Sequence, residues 1–198
     1  VAFYKDHYFY ELALKEDLTK SLRIPFGVLT TIFTLLGLYF IQFKFQCSDS
    51  NIVVTTFFVV TFLSSLALSI YSASELKNSY QGKGSYNGYP YHYIGDFNKV
   101  NEYDQYLSAW EDGEKAAGNN VSAEEEFIKD INKQYASNIY VNSGHNKMKI
   151  GHLREAKKYL FFALFSVLIC TFFFATNYIN CINFSEQNLT KEKKNESK

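Results

Sequence analysis

Three stretches of the chain carry no charge and stay apolar for the length a helix needs to cross a hydrocarbon core, at about 1.5 Å of rise per residue. They are Ile24 to Phe43, Ile52 to Ser72 and Tyr159 to Asn183. Charges stop at their edges: Arg23 and Lys44 bracket the first, Asp49 and Glu75 the second, Lys158 and Glu186 the third. The pattern predicts an all-α, three-pass transmembrane protein with a mainly helical insert between the second and third spans. Its parts are an N-terminal helix, 1–23; a transmembrane hairpin, 24–73; the insert, 74–158; the third transmembrane helix, 159–183; and a polar tail, 184–198.

Within 1–23, Tyr4, Tyr8, Leu12, Leu18 and Leu22 recur at helical spacing, and the pairs Glu11/Lys15 and Glu16/Lys20 fall four apart on the wet side. This reads as an amphipathic helix, lying on the membrane surface, against a neighbouring subunit, or on the soluble part. Mixed charges precede Ile24, so the first span is expected to direct its own insertion without a separate leader. Val1 is expected to follow a removed initiator or a few missing residues.

The insert changes character along its length. Ser74 to Asp96 holds Gly82, Gly84, Gly88, Pro90 and Gly95 among five tyrosines and reads as loop or short hairpin. Phe97 to Asp112 predicts a helix with Val100, Tyr103, Leu107 and Trp110 on one face, stopped by Gly113 and followed by a polar linker to Asn120. Ser122 then opens a longer helix as N-cap, with Glu124, Glu125 and Glu126 suited to its positive end and Glu125 placed as capping-box partner. A break is expected at Ser143 and Gly144, after which the helix resumes at His145 and runs into the third span.

Composition narrows the partners. Net charge is zero, so any nucleic-acid site must come from local clustering rather than a global field. Phe (19 residues) concentrates in the spans and Tyr (16) at their edges and in the insert, as expected of lipid-facing rings and interfacial anchors. No soluble piece exceeds roughly 85 residues, a size at which oligomerisation helps to complete a core. Four Lys and Arg precede the first span and eleven lie between Lys77 and Lys158, which predicts that the N-terminus and the insert are cytoplasmic.

Hydroxyl stripes mark the first two spans. Thr61, Ser65, Ser69 and Ser72 lie at helical spacing and either line water as a pore or pack against another helix, since a hydroxyl can bond its own backbone one turn earlier. No Asp, Glu, Lys or Arg falls inside a span, which argues against a proton-coupled transporter or pump. Cys47 and Cys181 come to the outer side in this topology, where they either form a disulfide or remain unpaired thiols; Cys170 reads as a small packing residue. There is no HExxH, CxxC, GxSxG or P-loop, QGKGS around Lys83 lacks the Walker spacing, and His7, His92, His145 and His152 form no zinc-ligand motif. The chain is therefore expected to be no enzyme and to use neither metal nor cofactor.

The strongest charge feature is the approach to the third span: His145, Lys147, Lys149, His152, Arg154, Lys157 and Lys158, with Glu155 the one acid among them. Such a run anchors a helix end at anionic headgroups. Repeated around the axis of an oligomer, it becomes a ring able to hold a polyanion, with Tyr89, Tyr91 and Trp110 as stacking faces for bases.

The segments YFYELALKEDLTKSLRIPFGVLTTI and ASNIYVNSGHNKMKIGHLREAKKYLFF, with a two-helix hairpin and helical insert between them and the polar positions Asn138, Asn142, Asn146, Lys149 and Ala156, resemble small membrane effectors of bacterial antiphage defence operons, most closely the channel subunit of Hailong-type systems. The resemblance covers most of residues 3 to 175. It implies a homo-oligomeric ion channel, a tetramer, whose cytoplasmic part binds a single-stranded oligonucleotide made by a partner nucleotidyltransferase. Bound ligand would hold the pore closed and its loss would open it. The charge and stacking reading then assigns Lys147, Lys149, Arg154, Lys157 and Lys158 to phosphates. Rival readings are a non-channel adaptor that recruits a soluble partner, and a transporter subunit.

Overall fold

A computed structural model describes residues 2–43, 52–81, 97–119 and 122–196, and among these it is all α-helical. The helices are α1 (Ala2–Ser21), α2 (Arg23–Gln42), α3 (Ile52–Gln81), α4 (Phe97–Ala116) and α5 (Ala123–Glu196). Three helical stretches, Phe3–Gln42, Ile52–Gln81 and Ala123–Phe184, are long and apolar enough to cross a membrane, so the three-span, all-α architecture holds.

The helix ends differ from the sequence reading where polar residues find partners. α3 continues through residues 74–81, read as loop, because Leu76 is fully buried and Glu75 bonds His152. α4 passes through Gly113 and stops at Gly118, whose φ of +84° is the left-handed conformation that favours glycine. Asn119 N–H donates to Glu114 O at 3.0 Å and Gly118 N–H to Lys115 O at 3.0 Å, the two bonds of a Schellman stop. α5 does not break at Ser143 and Gly144: a Cβ at Gly144 would meet nothing within 4 Å, and Asn142 and Asn146 on either side are buried. Its backbone also continues helical into the stretch read as tail, to Glu196.

The start of α5 follows the sequence reading. Ser122 Oγ accepts from Glu125 N–H at 3.4 Å and Ser122 O from Glu126 N–H at 3.3 Å. Glu111 of α4 accepts the N–H of Ala123 and is itself bonded by Lys115, so a carboxylate sits at the positive end of the helix. These two contacts hold the Glu111 carboxyl below its usual range, the lysine first and the amide second.

The chain forms two compact units, Val1–Lys20 with Tyr80–Gly151, and Ser21–Ser79 with His152–Lys198. In the first, α1 packs on α5, with buried Tyr8 edge-on to Tyr135 at 5.5 Å between centroids. In the second, α3 runs antiparallel to α5, since Tyr71 meets Tyr159 and Phe57 meets Phe173. α2 runs the same way as α5; at its far end Tyr39 bonds Thr171 at 2.7 Å and stacks on Phe174. Phe43 and Phe58 stack at 3.9 Å beside buried Cys170, and such ring pairs contribute about 0.5–1.5 kcal/mol each.

Buried positions on these helices recur in steps of four and three: Leu29, Ile32 and Leu36 on α2, Ser65, Ser69, Ser72 and Leu76 on α3, and Leu153, Ala156, Leu160, Ala163, Val167 and Cys170 on α5. This is the spacing of coiled-coil packing. Lipid provides no hydrophobic drive for helix association, so small residues at the contact, which let the backbones approach and gain dispersion, supply it instead.

Candidate functional site

In the first unit a polar seam occupies positions that would ordinarily be apolar. Glu11 is only 5% exposed, Asn142 and Asn146 are buried, and Lys149 is 6% exposed. The Asn146 amide donates to Glu11 O at 2.8 Å and to Glu11 Oε2 at 2.7 Å, while His7 Nε2 lies 3.8 Å from Glu11 Oε1. Glu11, assigned to the wet side of the N-terminal helix by its charge, is thus a core residue, because α5 offers it a two-fold donor. Burial pushes the Lys149 ammonium below its ordinary value, and the nearby charge of Lys15 pushes the same way.

Lys149 is therefore not a phosphate ligand on the surface, and its assignment among the anion-binding cations is corrected. The other four are exposed. Lys147 belongs to the first unit; Arg154, Lys157 and Lys158 belong to the second. Lys158 pairs with Glu155 at 3.6 Å and lies 5.8 Å from the Tyr159 ring centre. Trp110 is half-buried on α4, and Tyr89 and Tyr91 lie outside the described residues.

What the sequence reading missed is the outward face of α5 around Lys147. A groove of about 570 Å³ is bounded there by Ile139, Tyr140, His145, Lys147 and Met148. Tyr140 is 84% exposed and Met148 49%. Tyr140 stands two helical turns before Lys147, a spacing visible in the sequence. Lys147 forms no ion pair among the described residues.

In the second unit the hydroxyl stripe of α3 is in helix contact. Ser65 donates to Thr61 O at 2.7 Å and to Ser166 Oγ at 2.9 Å, and Ser166 donates to Thr61 O at 3.1 Å. Ser72 donates to Ala156 O at 3.0 Å, and Ser69 Oγ is buried with no hydrogen-bond partner among the described residues. Thr61 is half-buried and also bonds Phe57 O at 2.8 Å. Within one chain Thr61, Ser65 and Ser72 join α3 to α5 by hydrogen bonds, with buried Ser69 among them. The hydroxyls of the first span instead turn outward, as Thr30, Thr31 and Thr34 each bond the carbonyl four residues before. Where α3 and α5 leave this apolar zone, His152 Nδ1 and Glu75 Oε2 meet at 2.7 Å, each about 20% exposed.

Cys181 is buried and disulfide-bonded, Cys170 is a buried free thiol, and Cys47 lies outside the described residues. Among the described residues, no three His, Cys, Asp or Glu side chains gather as metal ligands. Compared with protein-family models, with curated proteins and with solved structures, the chain finds no match.

Proposed function

We propose that the protein is a homo-oligomeric channel of the bacterial inner membrane, a tetramer, that acts in antiphage defence and is gated through its cytoplasmic insert by a single-stranded oligonucleotide from a partner nucleotidyltransferase. The observation that carries the reading is the α5 groove, which combines an exposed tyrosine ring, an imidazole and an unpaired lysine, the set a base and its phosphate require. The same helix continues as a membrane span, so a ligand that binds one state of the insert better than another biases the span with it. In this reading the pore residues Thr61, Ser65, Ser69 and Ser72 are zipped against α5 when the channel is closed, and opening moves them to water.

The test is flux of monovalent ions from liposomes holding the purified chain, with and without oligonucleotide. The expected result is flux that the ligand suppresses, and binding that Tyr140→Ala weakens about tenfold, since stacking is worth roughly 1–3 kcal/mol per base. Absence of flux with and without ligand would remove the channel. Capture of a soluble protein by the same groove, with no oligonucleotide bound, would favour an adaptor that recruits a partner.

A further inference from the structure

At the beginning of the spans in the second unit, α2 and α5 enter side by side in the same direction and leave a crevice of about 370 Å³. Ser21, Ile24 and Val28 form one wall, and Lys157, Phe161 and Leu164 the other. Both walls change from polar to apolar in the same sense. From Lys157 to Leu164 the helix rises about 10 Å, so the crevice has a cationic mouth above an apolar cleft. Lys157 stands at that mouth, with Arg23 beside Ile24 and Arg154 three residues before Lys157 in sequence. Arg23, Arg154 and Lys157 are exposed and form no ion pair among the described residues, while the nearest acid on α5, Glu155, is taken by Lys158.

We propose that this crevice binds one anionic phospholipid, with the phosphate at Lys157 and the neighbouring arginines and an acyl chain along Val28, Phe161 and Leu164. A zwitterionic lipid would bring a further cation to a mouth that already carries Lys157, with Arg23 and Arg154 next to its walls in sequence, and a soluble anion would leave the apolar walls empty; a lipid of net negative charge satisfies both ends. The site rests on α2 and α5 crossing the membrane and not on what the protein conducts.

The experiment uses the full chain carrying Trp110→Phe and Phe161→Trp, which places its one indole on the crevice wall. In nanodiscs of phosphatidylcholine, a few mole per cent of brominated phosphatidylglycerol is expected to quench that indole more than the same amount of brominated phosphatidylcholine. Lys157→Gln is expected to cut the preference about fivefold, the loss of one cation near a headgroup. Val28→Phe, which fills the cleft and leaves the cations in place, is expected to abolish it. Equal quenching by the two headgroups would overturn the site, as would a preference untouched by Val28→Phe. Displacement of the brominated lipid by millimolar inorganic phosphate would show an anion site without a chain and would equally overturn it.

Discussion

The side-chain amide nitrogen of Asn146 donates to both the backbone carbonyl and the carboxylate of Glu11, at 2.8 and 2.7 Å, across 135 positions of sequence. One residue thereby satisfies a buried backbone acceptor and a buried charge. Removing it takes the 2.7 Å donor from a carboxylate that is almost fully buried and leaves it to the His7 imidazole 3.8 Å away, and that loss costs more than the bond contributes when present.

Asn146→Ala is expected to destabilise the first unit by about 2 kcal/mol, and Asn146→Asp by more, because it sets a second carboxylate against the first. Pairing Asn146→Asp with Glu11→Gln reverses the donor and acceptor and should recover part of the loss, though not the bond to the Glu11 carbonyl. Thermal denaturation followed by circular dichroism checks the order. Equal midpoints for the single and double variants would mean that the seam is not coupled.

The spans were legible because the membrane forbids charge and the charges mark where it ends: Arg23 and Lys158 stand at the first and third runs, and three helices follow. The seam was not. Its members, Asn142, Asn146 and Lys149, keep the four-and-three spacing of the apolar positions after them, but a periodicity counted on hydrophobic residues passes over them. Gly144 misled for a related reason. Glycine in a helix costs stability without ending it, and the stop at Gly118 needed a positive φ that composition does not show.

Those two glycines give opposite expectations for the same substitution. Gly118→Ala places a side chain in the left-handed region and should destabilise the α4–α5 junction by about 1 kcal/mol. Gly144→Ala meets nothing within 4 Å and should stabilise α5 by about 0.5–1 kcal/mol. Thermal midpoints that moved in the same direction would contradict the assignment of either position.

Lys149 sets a dependence on alkaline pH. Its folded pKa lies below that of the free side chain because burial, and then Lys15, disfavour the charged form. Below the folded pKa the ammonium is charged in both states and the folded state bears the full cost. As pH rises from the folded value toward the unfolded one, the folded state releases its proton first and stability increases. The unfolding midpoint should therefore rise over that window in the wild type and lose this component in Lys149→Met; an unchanged slope in the variant would place the titration elsewhere.

The contact between Ser65 and Ser166 permits a direct trial of how the spans are used. The hydroxyls are 2.9 Å apart, on helices that also meet at Ser72 and Ala156. Cysteines at both positions should crosslink under mild oxidant, shown by a reductant-sensitive mobility shift. If the proposed pore opens by parting α3 from α5, the crosslink should abolish liposome flux and reductant should restore it. Neither single cysteine should do so, since the serine stripe can tolerate one sulfur at a cost of about 1–3 kcal/mol of overpacking. Full flux through the crosslinked protein would show that these helices stay zipped in the conducting state, and the permeation path would then have to be sought on the outward faces of α2 and α5.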